Sequence, residues 1–174
     1  MSNRTPAPVL QPIVPTRQVK AARTLWLVSF AAGSIAILFA FVSRDEQLGR
    51  LRELVTDLAP ERDAATLDAL AALVFWGSLG MLALLIVIEA IVLRVMMRGH
   101  GGARWALMFI MFINAGAVLI ADAFVIAPGD DGLYLRVCLV AQLTLGGVGL
   151  VLSLFPGASA WFRAQKKRRR RPRP

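Results

Sequence analysis

Four long apolar runs divide the chain, and each is long enough to cross a lipid bilayer as a helix. About 20 apolar residues, at about 1.5 Å of rise each, span the roughly 30 Å hydrocarbon layer. The second run is the clearest, because it carries no charged residue from Ala69 to Ile88. The fold class is therefore predicted to be all-α, an integral membrane four-helix bundle. Its predicted spans cover residues 22–43, 67–97, 104–127 and 133–155.

A short amphipathic helix is predicted over residues 44–58, between the first and second spans. One of its faces is apolar at helical spacing, with Leu48, Leu51, Leu54, Val55 and Leu58. Ser43 and Glu46 form an S-x-x-E pattern, which is typical of a capping box at a helix N-terminus. The opposite face is charged, so the segment is expected to lie outside the bilayer core.

Basic residues are concentrated in three segments that four spans place on one side of the membrane. These segments are residues 1–20, the loop between the second and third spans, and residues 159–174. The other two connections carry mostly acidic charge. Because Lys and Arg mark the cytoplasmic side, both termini are predicted to be cytoplasmic. The expected location is the cytoplasmic (inner) membrane of a bacterium, and a bias to Ala, Arg, Val and Leu resembles high-GC species.

Aromatic residues near the predicted helix ends agree with this orientation. Trp and Tyr are enriched where a membrane meets water. The predicted inner interface holds Trp26, Trp105 and Trp161, and the outer one holds Trp76 and Tyr134.

The two ends of the chain are predicted to flank a four-span domain of residues 21–158. Residues 1–20, with four prolines, are expected to form a disordered cytoplasmic arm. Residues 159–174 are expected to form a polybasic cytoplasmic tail that binds anionic lipids of the inner leaflet. Nucleic acid is not an expected partner, because no folded reader or interleaved aromatic residue accompanies the charges. The predicted lipid head-group contacts are Lys166, Lys167, Arg168, Arg169, Arg170 and Arg171.

Polar residues inside the predicted spans are candidate functional groups, since an ionisable group there costs about 2.5–3.5 kcal/mol to insert. Asp122 and Arg136 flank one turn at nearly matching depths, which predicts an ion pair that either fixes helix register or serves a proton or ion path. Glu89 matches Asn114 and Ser29 in depth. The sequence leaves open whether Glu89 is protonated or pairs with a cation of another subunit. The candidates are Glu89, Asn114, Asp122, Arg136 and Gln142.

Small residues predict close helix contacts. Ala32, Ala36 and Ala40 recur at every fourth position and form a flat stripe on the first span. Three glycines between residues 146 and 149 favour either close backbone contact or a kink in the fourth span. These features are typical of helices that pack tightly in a membrane.

The chemistry available to the chain is limited. One cysteine, Cys138, and one histidine, His100, exclude an internal disulfide, a bis-histidine haem and an ordinary His/Cys zinc site. The sequence contains no catalytic triad, phosphate-binding loop or dinucleotide fingerprint. We therefore expect a non-enzymatic protein with no catalytic residue, metal or cofactor.

The expected function is that of an accessory or scaffold subunit that docks to a larger membrane or envelope complex through its helices. Other membrane protein subunits are then its main partners. The alternative is a small proton- or cation-coupled transporter or channel that uses Glu89 and Asp122. A third option is a holin-like pore former, which several spans followed by a basic tail suggest.

Overall fold

Helices joined by short turns make up the described part of the chain, which contains no strand. The computed structural model describes residues 14–124, 126 and 132–170, with side chains only as far as residue 165. Four of its helices are long and apolar enough to cross a membrane. The prediction of an all-α fold with four such helices is therefore confirmed. The helices are α1 (Arg17–Val42), α2 (Arg44–Leu58), α3 (Ala64–Met97), α4 (Ala103–Phe124), α5 (Leu133–Leu154) and α6 (Pro156–Arg170).

Two long helices begin earlier than the hydropathy pattern predicts, because polar side chains cap them. The Thr16 hydroxyl accepts a hydrogen bond from the main-chain N–H of Val19, so α1 starts inside the segment predicted as an arm. The Asp63 carboxylate accepts one from the N–H of Thr66 at the start of α3. Residues 1–13 of the predicted arm, and residues 125 and 127 of the third predicted span, lie outside the described residues.

The bundle has two distinct ends. α1 lies along α5, α3 lies along α4, and α2 packs on α3. The basic end holds the start of α1, the loop between α3 and α4, and α6, where Gln18 contacts Gly157. The α2 end holds α2 and the starts of α3 and α5.

The amphipathic helix α2 covers the predicted residues, but the predicted capping box at its start is wrong. The Ser43 hydroxyl donates a hydrogen bond to the carbonyl of Phe39, at 2.9 Å, and accepts one from Gln47 Nε2. Ser43 therefore closes the last turn of α1 and makes no side-chain cap for α2. The apolar face of α2 buries Leu51, and an ion pair between Arg52 and Asp68 joins it to α3.

Two apolar clusters fill the bundle. The α2-end cluster consists of Ala36, Ala40, Leu51, Ala71, Phe75, Leu79, Leu82, Val118, Ala121, Ile126, Leu135 and Leu139. The basic-end cluster consists of Val19, Trp26, Leu93, Met96, Leu107, Leu150, Ala158, Trp161 and Phe162. Ala36 and Ala40 of the predicted small-residue stripe are buried in the first cluster, and Ala32 is half-buried.

The segment predicted to be a polybasic tail begins as a helix, α6, that packs against the basic end of the bundle. Pro156 occupies the first position of α6, where its missing N–H costs no hydrogen bond. Ala158, Trp161 and Phe162 follow at helical spacing and are buried. Gly99, at φ +93°, lets the loop after α3 pass against the side chain of Gln165.

Two of the predicted interfacial aromatics lie in the interior. Trp26 and Trp161 are buried among helices, so their side chains do not lie on the outer surface of the bundle. Trp105, Trp76 and Tyr134 are exposed on the outer surface of the bundle. Hydropathy gives the depth of a side chain along its helix and leaves its direction open, so the burial of Trp26 and Trp161 could not be predicted from it.

Candidate functional site

A layer of polar side chains crosses the middle of the bundle. Ser29 on α1, Glu89 on α3, Asn114 on α4 and Gln142 on α5 are each only 1% exposed. Along every one of these helices the polar residue lies between members of the two apolar clusters. We call these four residues the polar layer. It brings together three of the candidate residues, Glu89, Asn114 and Gln142.

Glu89 and Asn114, whose depths were predicted to match, are in contact between α3 and α4. Asn114 Nδ2 donates a hydrogen bond to Glu89 Oε1, at 3.1 Å. The remaining amide oxygen, Asn114 Oδ1, has no hydrogen-bond partner among the described residues. The partner of the Glu89 carboxyl is thus an amide of the same chain.

Ser29 pairs with α5, although its depth also matches that of Glu89. Its hydroxyl donates to the main-chain carbonyl of Gln142, at 2.7 Å. The Gln142 side chain lies against Gly33, where a Cβ atom would overlap its Oε1. Within the described part of the chain, neither Oε1 nor Nε2 of Gln142 has a hydrogen-bond partner. The absence of a side chain at Gly33 therefore makes the room that this amide occupies.

The glycines of α5 serve the same packing. A Cβ atom at Gly149 would lie 2.9 Å from Trp26 Cδ1, and one at Gly146 would lie 3.3 Å from Ser29 Oγ. Of the two roles that the sequence left open, close contact and a kink, the structure shows close contact: Gly146 and Gly149 admit Trp26 and Ser29 between α1 and α5.

Asp122 and Arg136 form the predicted ion pair at the α2 end. Arg136 Nε lies 2.6 Å from Asp122 Oδ1, and each side chain is 41% exposed. The pair borders an open pocket of about 400 Å³ that Arg50, Glu53 and Asp57 also line. This pair lies at the rim of the bundle, away from the polar layer, and the low-dielectric setting expected for it stays a prediction.

A cavity of about 780 Å³ at the basic end was not predicted. Its lining combines His100 and Arg104 from the α3–α4 loop and α4 with Phe162 and Arg163 from α6. The sequence signal was the basic, glycine-rich loop of residues 98–104. The cavity was missed because the tail was predicted only to contact lipid head groups, and its packing against this loop was not predicted.

The side chains of the six predicted lipid contacts in the tail all lie outside the described residues. Residues 166–170 continue α6 but their side chains are outside the described set, and Arg171 is outside it altogether. Among the described residues, no group of three or more His, Cys, Asp or Glu side chains is arranged to hold a metal ion.

The polar layer offers one carboxyl, two amides and a hydroxyl, which are groups that hold helices together or pass a proton. No protein-family model, no curated protein and no solved structure matches the chain. The functional argument therefore depends on geometry.

Proposed function

We propose that this chain is a non-enzymatic accessory or scaffold subunit of a larger complex in a bacterial inner membrane. Both termini are cytoplasmic in this proposal, since the basic end carries the loop of residues 98–104 and α6. The partner is a transmembrane helix of another subunit. The single observation that carries the proposal is a groove on the outer face of α3 and α4.

The groove has a volume of about 390 Å³ and opens to the surroundings of the bundle. Small residues form its floor, and a Cβ atom at Gly77 or Gly116 would meet nothing within 4 Å. Such a floor lets a helix approach closely enough for backbone contact, which drives association in lipid. The lining residues are Gly77, Ser78, Met81, Ile113, Gly116, Ala117 and Ile120.

The occupant we favour is one apolar helix, because the groove matches a helix in both chemistry and shape. On α4 it extends from Ile113 to Ile120, about two helical turns, and it contains no charged residue. The intramembrane polar groups support the same view. Glu89 accepts its hydrogen bond inside the bundle, so a partner helix would contact the outer surface of α3 and α4.

A site-specific photocrosslinker tests this proposal in native membranes. Placed at Ile120, which lines the groove and is 57% exposed, it should give one crosslinked product of defined mass. Placed at Val140, which is 54% exposed on α5, it should give none. Gly77→Leu should abolish the Ile120 product because the new side chain fills the groove.

The matched control is Gly80→Leu, which adds the same side chain in open space on α3 outside the groove lining. The Ile120 crosslink should persist in the Gly80→Leu variant. Loss of the product in both variants, or no product at Ile120, would contradict the proposal. A product of twice the chain mass from the purified protein would show that the occupant is a second copy, which also contradicts a partner subunit.

A small proton- or cation-coupled transporter is the second candidate, and the polar layer favours it. Gln142 and Asn114 keep unpaired hydrogen-bonding atoms in the same layer as the Glu89 carboxyl. Unused hydrogen-bonding capacity at mid-membrane is what a proton path requires. This function predicts proton flux that Glu89→Gln abolishes, whereas a scaffold has no such flux.

A further inference from the structure

We propose that the cavity at the basic end binds the phosphate head group of one anionic phospholipid, with an acyl chain against α3 and α4. The cavity measures about 780 Å³, a size typical of small-molecule sites. This inference shares with the proposed function only the premise that α3 and α4 cross a membrane. The groove described above lies on a different stretch of the same helices.

The charge of the cavity selects an anion. Arg104, Arg163 and His100 line it, and no Asp or Glu is among its described lining residues. Arg163 is exposed, so its guanidinium is accessible from the water side. Arginine binds phosphate oxygens through several N–H groups at once, which makes it a strong partner for a phosphodiester.

Arg104 is held in place before any ligand arrives. Its Nη1 donates to the carbonyl of Ser153 and to the hydroxyl of Ser159, and its Nε donates to the carbonyl of Gly101. Its guanidinium also lies over the ring of Phe162, 5.0 Å from the centroid. Nη2 takes no part in these bonds and lies beside Gly101, which also lines the cavity.

The glycine-rich loop makes room for a head group. Gly99, Gly101 and Gly102 all line the cavity, and a Cβ atom at Gly102 would meet nothing within 4 Å. α4 begins at Ala103, so the positive end of its helix dipole adds to the charge of the two arginines. An anion here is favoured by main chain and side chains together.

The other wall of the cavity is apolar and belongs to the membrane-crossing helices. Val92 and Val95 on α3 and Ala106 on α4 form it. Ala106 is exposed, so this wall continues into the outer surface of the bundle. A free phosphate would leave this wall unused, whereas a phospholipid contacts both the wall and the basic rim.

Lipid retention by the purified full-length chain tests the assignment. Native mass spectrometry in detergent would compare phosphatidylglycerol, phosphatidylcholine and inorganic phosphate as added ligands. We expect one phosphatidylglycerol to be retained in preference to phosphatidylcholine. Arg163→Gln should weaken its retention about fivefold, which corresponds to about 1 kcal/mol for one basic residue near an anionic lipid.

Two matched controls separate this site from general attraction to the basic chain. Arg98→Gln removes the same charge from an exposed residue of the α3–α4 loop, which does not line the cavity, and it should change retention little. Ala106→Phe fills the cavity without changing charge and should weaken retention, whereas Ala69→Phe, at an exposed position near the start of α3, should not.

Three results would overturn the proposal. Equal weakening by Arg163→Gln and Arg98→Gln would mean diffuse attraction to positive charge. Unchanged retention in Ala106→Phe would place the lipid elsewhere. Inorganic phosphate bound as tightly as phosphatidylglycerol would mean that the cavity holds a soluble anion.

Discussion

The polar layer and the Asp122–Arg136 pair both join a carboxyl to a partner on a neighbouring helix, yet their surroundings differ sharply. Glu89 and Asn114 are 1% exposed and lie between two apolar clusters. Asp122 and Arg136 are 41% exposed beside an open pocket. We expect water to replace a lost partner at the open rim, whereas the apolar clusters on both sides keep water out of the layer.

Surroundings therefore decide what each interaction contributes. A buried polar group that loses its partner keeps the full cost of desolvation, about 1–3 kcal/mol. An exposed ion pair contributes about 0–1 kcal/mol, because each charge remains solvated without the other. The weaker chemistry, an amide bonded to a carboxyl, should thus matter more to stability than the full ion pair.

The largest effect is expected where the layer is most tightly packed. Gly33→Leu would drive its side chain into Gln142, so it should destabilise the bundle by about 1–3 kcal/mol through overpacking. Thermal unfolding in detergent measures this destabilisation. Gly80→Leu makes the same change in open space and should leave the melting temperature nearly unchanged. Equal melting temperatures for the two variants would show that Gln142 does not lie against Gly33.

A somewhat smaller loss of stability is expected when the hydrogen bond between Asn114 and Glu89 is removed. Asn114→Leu removes the amide that donates to Glu89, which should cost about 1–2 kcal/mol. The double variant Asn114→Leu with Glu89→Leu should recover part of that loss, because no unpartnered carboxyl is left. Losses that simply add in a double-mutant cycle would mean that the two side chains do not interact.

The rim pair should respond weakly and should depend on salt. Asp122→Asn and Arg136→Gln are each expected to cost about 0–1 kcal/mol, with a small coupling that shrinks as ionic strength rises. Asp68→Asn, in the similarly exposed Arg52–Asp68 pair, provides the reference. A salt-independent loss as large as that of Asn114→Leu would mean that Asp122 lies in a low-dielectric site.

The smallest effect concerns Asp63, which is fully exposed at the α2 end. Hydrogen bonds from the hydroxyl and the main-chain N–H of Thr66 hold the pKa of Asp63 below its usual value. Its contribution to stability is therefore present above the pKa of an unfolded carboxyl and is lost as pH falls through the folded value. Melting temperatures measured over an acid pH series should converge for wild type and Asp63→Ala.

Asp63→Asn is the control for that series, since Asn caps a helix about as well as Asp and does not titrate. The difference in melting temperature between Asp63→Asn and Asp63→Ala should be independent of pH. A difference in melting temperature between wild type and Asp63→Ala that persists at the lowest pH would show that the ionised Asp63 carboxylate is not the source of the stability.

What the sequence could predict is depth along each helix. Hydropathy placed the four long helices. Counting residues from a turn paired Asp122 with Arg136 and matched the depth of Glu89 to that of Asn114 and Ser29. In antiparallel helices of fixed rise, equal distance from a turn means equal depth, so these pairings follow from one coordinate.

What the sequence could not predict is the direction in which a helix faces. Trp26 has the depth of an interfacial residue and is nevertheless buried, because glycines on α5 admit it. The packing of α6 against the bundle was not predicted either. Its buried residues Ala158, Trp161 and Phe162 are too few to stand out beside a long basic run.

Proton flux is the most direct test of the claim that the polar layer holds the bundle together and carries no ions. Purified wild type and Glu89→Gln would be placed in proteoliposomes and subjected to a pH jump, with a trapped dye to report pores. We predict that both equilibrate no faster than empty vesicles and retain the dye. Proton uptake by wild type that disappears in Glu89→Gln would contradict the claim and favour a transporter, and dye release by both would favour a pore.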